Sequence, residues 1–337
     1  MFFIKFSRKI KDKFDILVIL CKLVINRNKI GFKSFSESLS FFFIINPFFN
    51  KFFCIWFSNI KNSNLKSKFI ARKLLNKGIG FGALRHMTPE NRSKFTTLVF
   101  AKNKTLKEKY ISSETSKVLE KLSIDGYTKL PFRLSKKDVL NAHNFFGDCK
   151  YYNSQVYAQS DNQENKKDWR KVKNSDSKNR NFCFKQADTI KFLLKYNIVD
   201  FPYLKNLADI YCGFDTSLYD LNTFGTFLGK KKSYVMRKHR DFDDFRSLTI
   251  FIAWTKTSSE DGATLFAPFT HSSSLASSNM VPLDAEAGEM YALDTFGFHA
   301  GNTKVKTPRL TSWIKYGNPI NLATIQNGTK IIKNFNK

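Results

Sequence analysis

The hydrophobic pattern separates an apolar N-terminal region from a later region of short β-like runs. Two apolar runs, 15–25 and 41–57, lie within the first eighty residues. Lys22 interrupts the first run and Pro47 the second, so neither matches the roughly 20 continuous apolar residues of a membrane span. We predict that residues 1–80 form a basic, hydrophobic helical region. It either packs on the main domain or lies in a membrane interface through residues 1–60.

The middle of the chain alternates polar stretches with short periodic segments. Residues 81–117 are predicted to be a linker, 118–318 the main domain and 319–337 a C-terminal tail. Within the main domain, Asp125-Gly126 is predicted to be a turn that leads into a strand. Ser135 is predicted to cap a helix that continues through Phe146, because Asp138 follows at the capping-box position. Residues 151–182 are polar and predicted to be loop, and 190–196 and 204–211 are predicted short helices.

From Tyr234 onward the pattern becomes that of β-structure. The runs 247–255, 263–267, 290–294 and 310–316 are rich in β-branched and aromatic residues and are separated by turn residues. Several short strands at such spacing indicate a sandwich or a barrel, so the fold class is mainly β with flanking helices.

The charge and the cysteines limit the partners and the compartment. The formal net charge of +28 comes mostly from scattered lysines. It is explained either by a coding bias toward lysine or by attraction to an anion, such as a membrane surface or an anionic, carrier-linked substrate. No zinc-finger spacing or basic helix indicates nucleic acid as a partner. The five cysteines form no CxxC pair, which is typical of a reducing compartment, and we expect a cytoplasmic protein that is either free or membrane-associated.

Candidate metal ligands lie in the β region. His239 and Asp241 are two residues apart, so they point to one side of an extended segment, and His299 follows at the end of a later strand. Two histidines and one carboxylate on one face of a metal leave three neighbouring positions open. Non-haem Fe(II) oxygenases need this arrangement, since O2 and a cosubstrate must bind together.

Arg309 makes that pattern more specific. It begins the strand after the hairpin that follows His299, where its guanidinium can bind a carboxylate through two parallel hydrogen bonds. Thr311 points to the same face of the strand and can add a hydroxyl donor.

The stretch from His239 to Gly317 resembles the phytanoyl-CoA dioxygenase family of Fe(II)/2-oxoglutarate-dependent oxygenases. Besides the ligands and the arginine, it shares the acidic-Gly turn at 260–262, the segment 268–271 and the Gly-Glu turn at 288–289. The resemblance covers about residues 118–318. It implies a double-stranded β-helix, which is a cupin-like jelly roll.

The resemblance also implies roles for single residues. His239, Asp241 and His299 would bind Fe(II), and Arg309 would hold the distal carboxylate of the cosubstrate 2-oxoglutarate, with O2 as the second cosubstrate. Some members carry Ser where this chain has Gly301, so Thr311 or a residue of another strand would serve instead. Because Asp241 is present, halide has no vacant position and hydroxylation is the expected reaction.

Further residues are candidates for contacts around the site. Asp243, Asp244 and Arg246 are candidates for two roles, ordering the loop or contacting a polar substrate. The simpler interpretation is that they form a solvated turn. Trp254 and Phe266 either line the cavity or belong to the core. We expect a hydroxylase acting on a small-molecule, lipid or carrier-linked substrate. The alternatives are a catalytically retired jelly-roll protein at a membrane surface and a cupin-type metal enzyme that does not use 2-oxoglutarate.

Overall fold

The computed structural model describes residues 88–90, 92–93, 112–152, 164–165, 168–172, 181–196, 201–227, 237–277 and 279–317. The predicted N-terminal region at 1–80 and the tail at 319–337 lie outside these residues and stay predictions, as does membrane contact through 1–60. No helix in the described part of the chain combines the length and apolar content that crossing a membrane requires.

Helices cover one side of the domain. Ser135 caps the second of them as predicted, because its hydroxyl accepts from the backbone N–H of Asp138 at 3.1 Å and the Asp138 carboxylate accepts from the N–H of Ser135 at 3.2 Å. Gly126 ends the first helix with a φ of 82°, a left-handed conformation that glycine adopts without strain. The helices are α1 (Ser113–Asp125), α2 (Lys136–Asp148), α3 (Gln186–Tyr196) and α4 (Phe201–Cys212), with a short 3₁₀ turn at Trp169–Lys171.

Two antiparallel sheets form the rest of the described domain, and they confirm the predicted jelly-roll class. The strands are β1 (Tyr127–Arg133), β2 (Tyr151–Tyr152), β3 (Glu164–Asn165), β4 (Asn181–Cys183), β5 (Ser217–Thr226), β6 (Leu248–Ala253), β7 (Thr264–Phe266), β8 (Val281–Leu283), β9 (Glu289–Leu293), β10 (His299–Ala300) and β11 (Arg309–Gly317). The larger sheet has the order β1-β9-β6-β11-β5-β4-β2-β3 and the smaller β10-β7-β8. The four predicted strands correspond to β6, β7, β9 and β11.

The predicted strand after Asp125-Gly126 is β1, but no strand was predicted between that point and Tyr234, so β5 was missed. Strand β5 lies between β4 and β11 in the larger sheet. Its inward positions include Asp220 and Asn222, so its sequence lacks the apolar alternation that marks a strand. The predicted loop at 151–182 also contains the short strands β2 and β3, the 3₁₀ turn and the start of β4.

The two faces of β11 have different surroundings. Leu310, Ile314 and Tyr316 pack in the core between the larger sheet and the helices. Alternation along the strand points Arg309, Thr311, Trp313 and Lys315 to the opposite side, toward the smaller sheet. Trp313 accordingly packs against the second core cluster, which lies between the two sheets. We call these four positions the interior face of β11.

A residue from the predicted linker at 81–117 is part of this domain. Arg92 is buried and donates to both carboxylate oxygens of Asp294, at 3.0 and 2.9 Å. It also donates to the carbonyl oxygens of Phe245 and His271. The hydroxyl of Tyr211 donates to the same carboxylate at 2.8 Å, so Asp294 is held from two sides.

Candidate metal centre

Backbone pairing brings the two candidate histidines together. His239 and His299 form an isolated antiparallel bridge, in which each N–H donates to the other's carbonyl oxygen, at 3.0 and 2.9 Å. His299 begins β10, whose other neighbour is β7, so His239 extends the smaller sheet by one residue. The two imidazole centroids lie 4.3 Å apart. Residues that are 60 positions apart in sequence therefore present their rings at one point of the smaller sheet.

Both imidazoles are oriented through their Nδ1 atoms. Nδ1 of His239 lies 2.8 Å from the carbonyl oxygen of Arg237, and Nδ1 of His299 lies 3.0 Å from that of Gly297. A carbonyl can only accept, so each Nδ1 is assigned the proton and each Nε2 the lone pair. Nε2 of His299 is buried and has no hydrogen-bond partner among the described residues. Burial also lowers the pKa of His299, which keeps the ring neutral and able to bind a metal.

Asp241 completes the cluster. Its Oδ1 atom lies 3.8 Å from Nε2 of His239 and 3.8 Å from Nε2 of His299. Its backbone N–H donates to the carbonyl oxygen of Thr295 at 2.9 Å, which fixes the loop next to β10. The three ligand atoms lie within 4.8 Å of one another, close enough to hold one metal ion. Two imidazoles and one carboxylate are a donor set that suits Fe(II).

Lys315, which the sequence analysis missed, contacts this cluster. Its ammonium lies 3.0 Å from Oδ2 of Asp241 and 2.9 Å from Oδ2 of Asp243, and its side chain is only 5% exposed. Burial alone would lower the pKa of Lys315, but the two carboxylates raise it well above its ordinary value. Burial would likewise raise the pKa of Asp241, yet the ammonium of Lys315 holds it below its usual range. Both side chains therefore stay charged. Lys315 lies six residues after Arg309 on the same strand. This even spacing points both side chains to one face, and it was the signal in the sequence that could have identified Lys315.

Asp220 was also missed, because β5 was not predicted. It is directly opposite Lys315 in the pairing of β5 with β11. Burial raises its pKa to about 6, and its Oδ1 accepts a hydrogen bond from the Asn222 amide at 2.5 Å.

Arg309 lies at the other end of the interior face of β11. It is buried, its Nε donates to the Thr226 hydroxyl at 3.1 Å, and its Nη1 donates to the Gly262 carbonyl oxygen. No carboxylate of the described residues lies within ion-pair distance of its guanidinium. Burial lowers its pKa to about 10, with Asp261 acting weakly in the opposite direction. A buried cation without an acidic partner is costly unless an anion binds there.

The two positions between these cations face the same interior. Thr311 is fully buried, and its hydroxyl donates to the Phe224 carbonyl oxygen at 3.2 Å, so that proton is already engaged. Trp313 packs edge-on against the Phe224 ring, with centroids 4.9 Å apart, and the Lys315 ammonium lies 5.2 Å from the centre of the indole. Its buried Nε1 has no hydrogen-bond partner among the described residues.

The remaining predicted contact residues divide between two sides of the sheet. Asp243 binds Lys315, and Phe266 pairs with His299 in the smaller sheet, so both lie next to the metal ligands. Arg246 instead lies over the Tyr211 ring of α4, at 4.7 Å. Trp254 belongs to the helix-side core, where its indole N–H donates to the Ser312 hydroxyl at 2.7 Å. Asp244 is buried against Gly317 at the end of β11.

The comparisons with known proteins found similarity among solved structures alone. No protein-family profile matches the chain, and no curated protein sequence matches it. The non-haem alpha-ketoglutarate-dependent epimerase SnoN from nogalamycin biosynthesis is 16% identical, with 62% of this chain and 87% of SnoN covered and a TM-score of 0.44. EctD from S. alaskensis, with 2-oxoglutarate and 5-hydroxyectoine, is 15% identical over 62% of this chain and 77% of EctD, with a TM-score of 0.44.

A third similar structure is HygX from Streptomyces hygroscopicus, with nickel, 2-oxoglutarate and hygromycin B bound. It is 10% identical, with 60% of this chain and 86% of HygX covered and a TM-score of 0.41. These similarities are distant, so the assignment of a function depends on this chain's own residues. The resemblance to the phytanoyl-CoA dioxygenase family stays a prediction.

Proposed function

We propose that this protein is a non-haem Fe(II)- and 2-oxoglutarate-dependent oxygenase. The observation that carries the proposal is that the described domain pairs a His-Asp-His cluster with a buried arginine that has no carboxylate partner. The cluster of His239, Asp241 and His299 meets the interior face of β11 at Lys315, and Arg309 begins the same face. A metal site and a site for a separate carboxylate thus belong to one interior.

Different residues would hold the iron and the cosubstrate 2-oxoglutarate. His239, Asp241 and His299 would hold Fe(II), and Arg309 would bind the distal carboxylate of 2-oxoglutarate. Iron in such a site supplies the activation of O2 that couples decarboxylation of 2-oxoglutarate, to succinate and CO2, to oxidation of a C–H bond. Arg309 and Lys315 are six residues apart on β11, which is roughly 20 Å between their Cα atoms. The cosubstrate would lie between these two positions.

The side chains between the two sheets would keep this interior dry. Phe224, Phe251 and Phe266 are buried there and pack around Trp313 and its neighbours. A site without bulk water strengthens the attraction between Arg309 and a carboxylate. It also protects a reactive centre from side reactions with solvent.

The finer assignment is hydroxylation, since Asp241 occupies the ligand position that a halide would need. The substrate would be a small molecule, a lipid or a carrier-linked compound, with an anionic group suited to the excess of lysine. Contact between residues 1–60 and a membrane surface would place the enzyme near a lipid substrate.

The test is an anaerobic titration of the Fe(II) protein with 2-oxoglutarate, followed through the weak visible charge-transfer band of the chelate. We expect wild type to develop the band and Arg309→Ala to need a much higher 2-oxoglutarate concentration. Arg133→Ala is the matched control, because Arg133 is an exposed arginine on β1 that donates to the Ala287 carbonyl oxygen. It should behave as wild type.

Two outcomes would replace the proposal. Tight Fe(II) binding without a 2-oxoglutarate band in wild type would indicate a cupin-type metal enzyme that does not use this cosubstrate. Failure to bind Fe(II) at all would indicate a retired jelly-roll binding protein. An unchanged titration in Arg309→Ala would remove Arg309 from the cosubstrate site.

A further inference from the structure

The two carboxylate oxygens of the candidate metal ligand Asp241 have different neighbours, and Lys315 binds one of them. Oδ1 is the oxygen that faces both histidines, at 3.8 Å from each Nε2. Oδ2 is bound by the Lys315 ammonium at 3.0 Å. A carboxylate with both oxygens free can bind a metal through one or two of them. Here the second oxygen is already engaged by a cation.

The position of Lys315 is itself well fixed. The side chain is 5% exposed, and its ammonium also binds Oδ2 of Asp243 at 2.9 Å. It lies 5.2 Å from the centre of the Trp313 ring, a distance at which a cation is attracted to the aromatic face. Two carboxylates of the ligand loop and one aromatic ring of β11 therefore hold the ammonium beside Asp241.

We propose that Lys315 is a positioning residue that binds Oδ2 of Asp241, so that this ligand offers the metal only Oδ1. The inference rests on the proposed function, because it concerns the same metal site. A ligand that takes one coordination position leaves three open after both histidines have bound, and a chelating cosubstrate together with O2 requires all three. Lys315 also places a positive charge beside a site that must accept the dianion 2-oxoglutarate.

Electrostatics gives this role a distinctive signature. The Lys315–Asp241 pair is strongest in the metal-free protein, because a bound divalent cation repels the ammonium. Removing the lysine should therefore favour a metal ion and disfavour an anionic cosubstrate. A lysine needed only for correct folding of the site would weaken both binding steps when removed.

The experiment measures both affinities, with Co(II) as the metal probe and the Co(II) protein as the receptor for 2-oxoglutarate, by anaerobic calorimetry. We expect Lys315→Met to bind Co(II) at least about tenfold more tightly, and 2-oxoglutarate several-fold more weakly, than wild type. Lys315→Arg, which keeps the charge, should move both affinities back toward wild type. Lys129→Met is the matched control, because it removes a lysine–carboxylate pair on β1, 2.7 Å from Glu289 and away from the metal ligands.

Asp243→Asn tests the same idea without altering the lysine. It removes the competing carboxylate, so the ammonium acts on Asp241 alone and Co(II) should bind more weakly. The proposal is overturned if both affinities fall in Lys315→Met, if neither changes, or if Asp243→Asn binds Co(II) as tightly as wild type. Wild-type protein that binds Co(II) but not 2-oxoglutarate would instead refute the proposed function, and the Co(II) affinities would still decide the role of Lys315.

Discussion

The two ends of the interior face of β11 carry the same charge in different surroundings. Lys315 and Arg309 are both buried and both point between the sheets. Lys315 lies within 3.0 Å of two carboxylates, and its pKa is raised. Among the described residues, the Arg309 guanidinium donates to a hydroxyl and a carbonyl oxygen and pairs with no carboxylate, and its pKa is lowered to about 10.

The presence or absence of a carboxylate partner indicates the role of each buried cation. Where the protein supplies the counter-charge, as at Lys315, the desolvation cost is offset within the folded chain, and removing the cation would leave carboxylates uncompensated. Where it does not, as at Arg309, the desolvation cost is left for a ligand to offset. The same strand thus contains one cation that is paired with a candidate metal ligand and one that has no carboxylate partner among the described residues.

The largest effect should come from removing the paired cation. Lys315→Met leaves Asp241 and Asp243 without their partner, and we expect the free energy of unfolding of the metal-free protein to fall by about 3 kcal/mol. Urea denaturation in the presence of a chelator measures it. A loss no larger than that of Lys129→Met, an exposed pair worth about 1 kcal/mol or less, would contradict the contrast between the two ends.

Substitution of Arg309 should have a slightly smaller effect on stability, and only when 2-oxoglutarate is bound. With a divalent metal present, 2-oxoglutarate at about a hundred times its Kd should stabilise wild type by roughly 2.7 kcal/mol. Arg309→Met should lose most of this gain, since the carboxylate has no guanidinium to bind. Thermal denaturation with and without the cosubstrate checks the prediction, and equal stabilisation of both proteins would show that the anion binds elsewhere.

The smallest effect concerns the carboxyl group opposite Lys315. Asp220 has a pKa raised to about 6, so the folded protein retains a proton that the unfolded chain releases near pH 4. Stability should therefore fall as pH rises from about 4 to 6, by about 1 kcal/mol for this partly exposed group. Asp220→Asn should flatten that part of the profile. Parallel curves for variant and wild type in urea unfolding would refute it.

The ligand pattern could be predicted from the sequence because it is local or evenly spaced. His239 and Asp241 are two residues apart, and Arg309 begins a strand with a clear β pattern. The ion pairs of Lys315 could not be predicted in the same way. They depend on a contact between Lys315 and a loop 74 residues earlier in the chain.

Side-chain direction limited the prediction elsewhere. Trp254 follows β6 directly, and its side chain lies on the helix side of the sheet, because successive residues of an extended chain point to opposite faces. Asp220 was missed because β5 has polar residues at inward positions, so its sequence does not show the alternation that predicts a strand. Arg92 was assigned to a linker because nothing local in the sequence marks a buried arginine.

The contact between Arg92 and Asp294 bears on how far the β-rich domain extends along the chain. Asp294 precedes Thr295, whose carbonyl oxygen binds the N–H of Asp241. A fragment beginning at Val118, where the main domain was predicted to start, would lack Arg92 and leave the buried Asp294 carboxylate without its guanidinium partner. The smallest fragment that keeps this support for the ligand loop therefore begins no later than Arg92, so the unit that holds the candidate metal ligands includes a residue from the predicted linker.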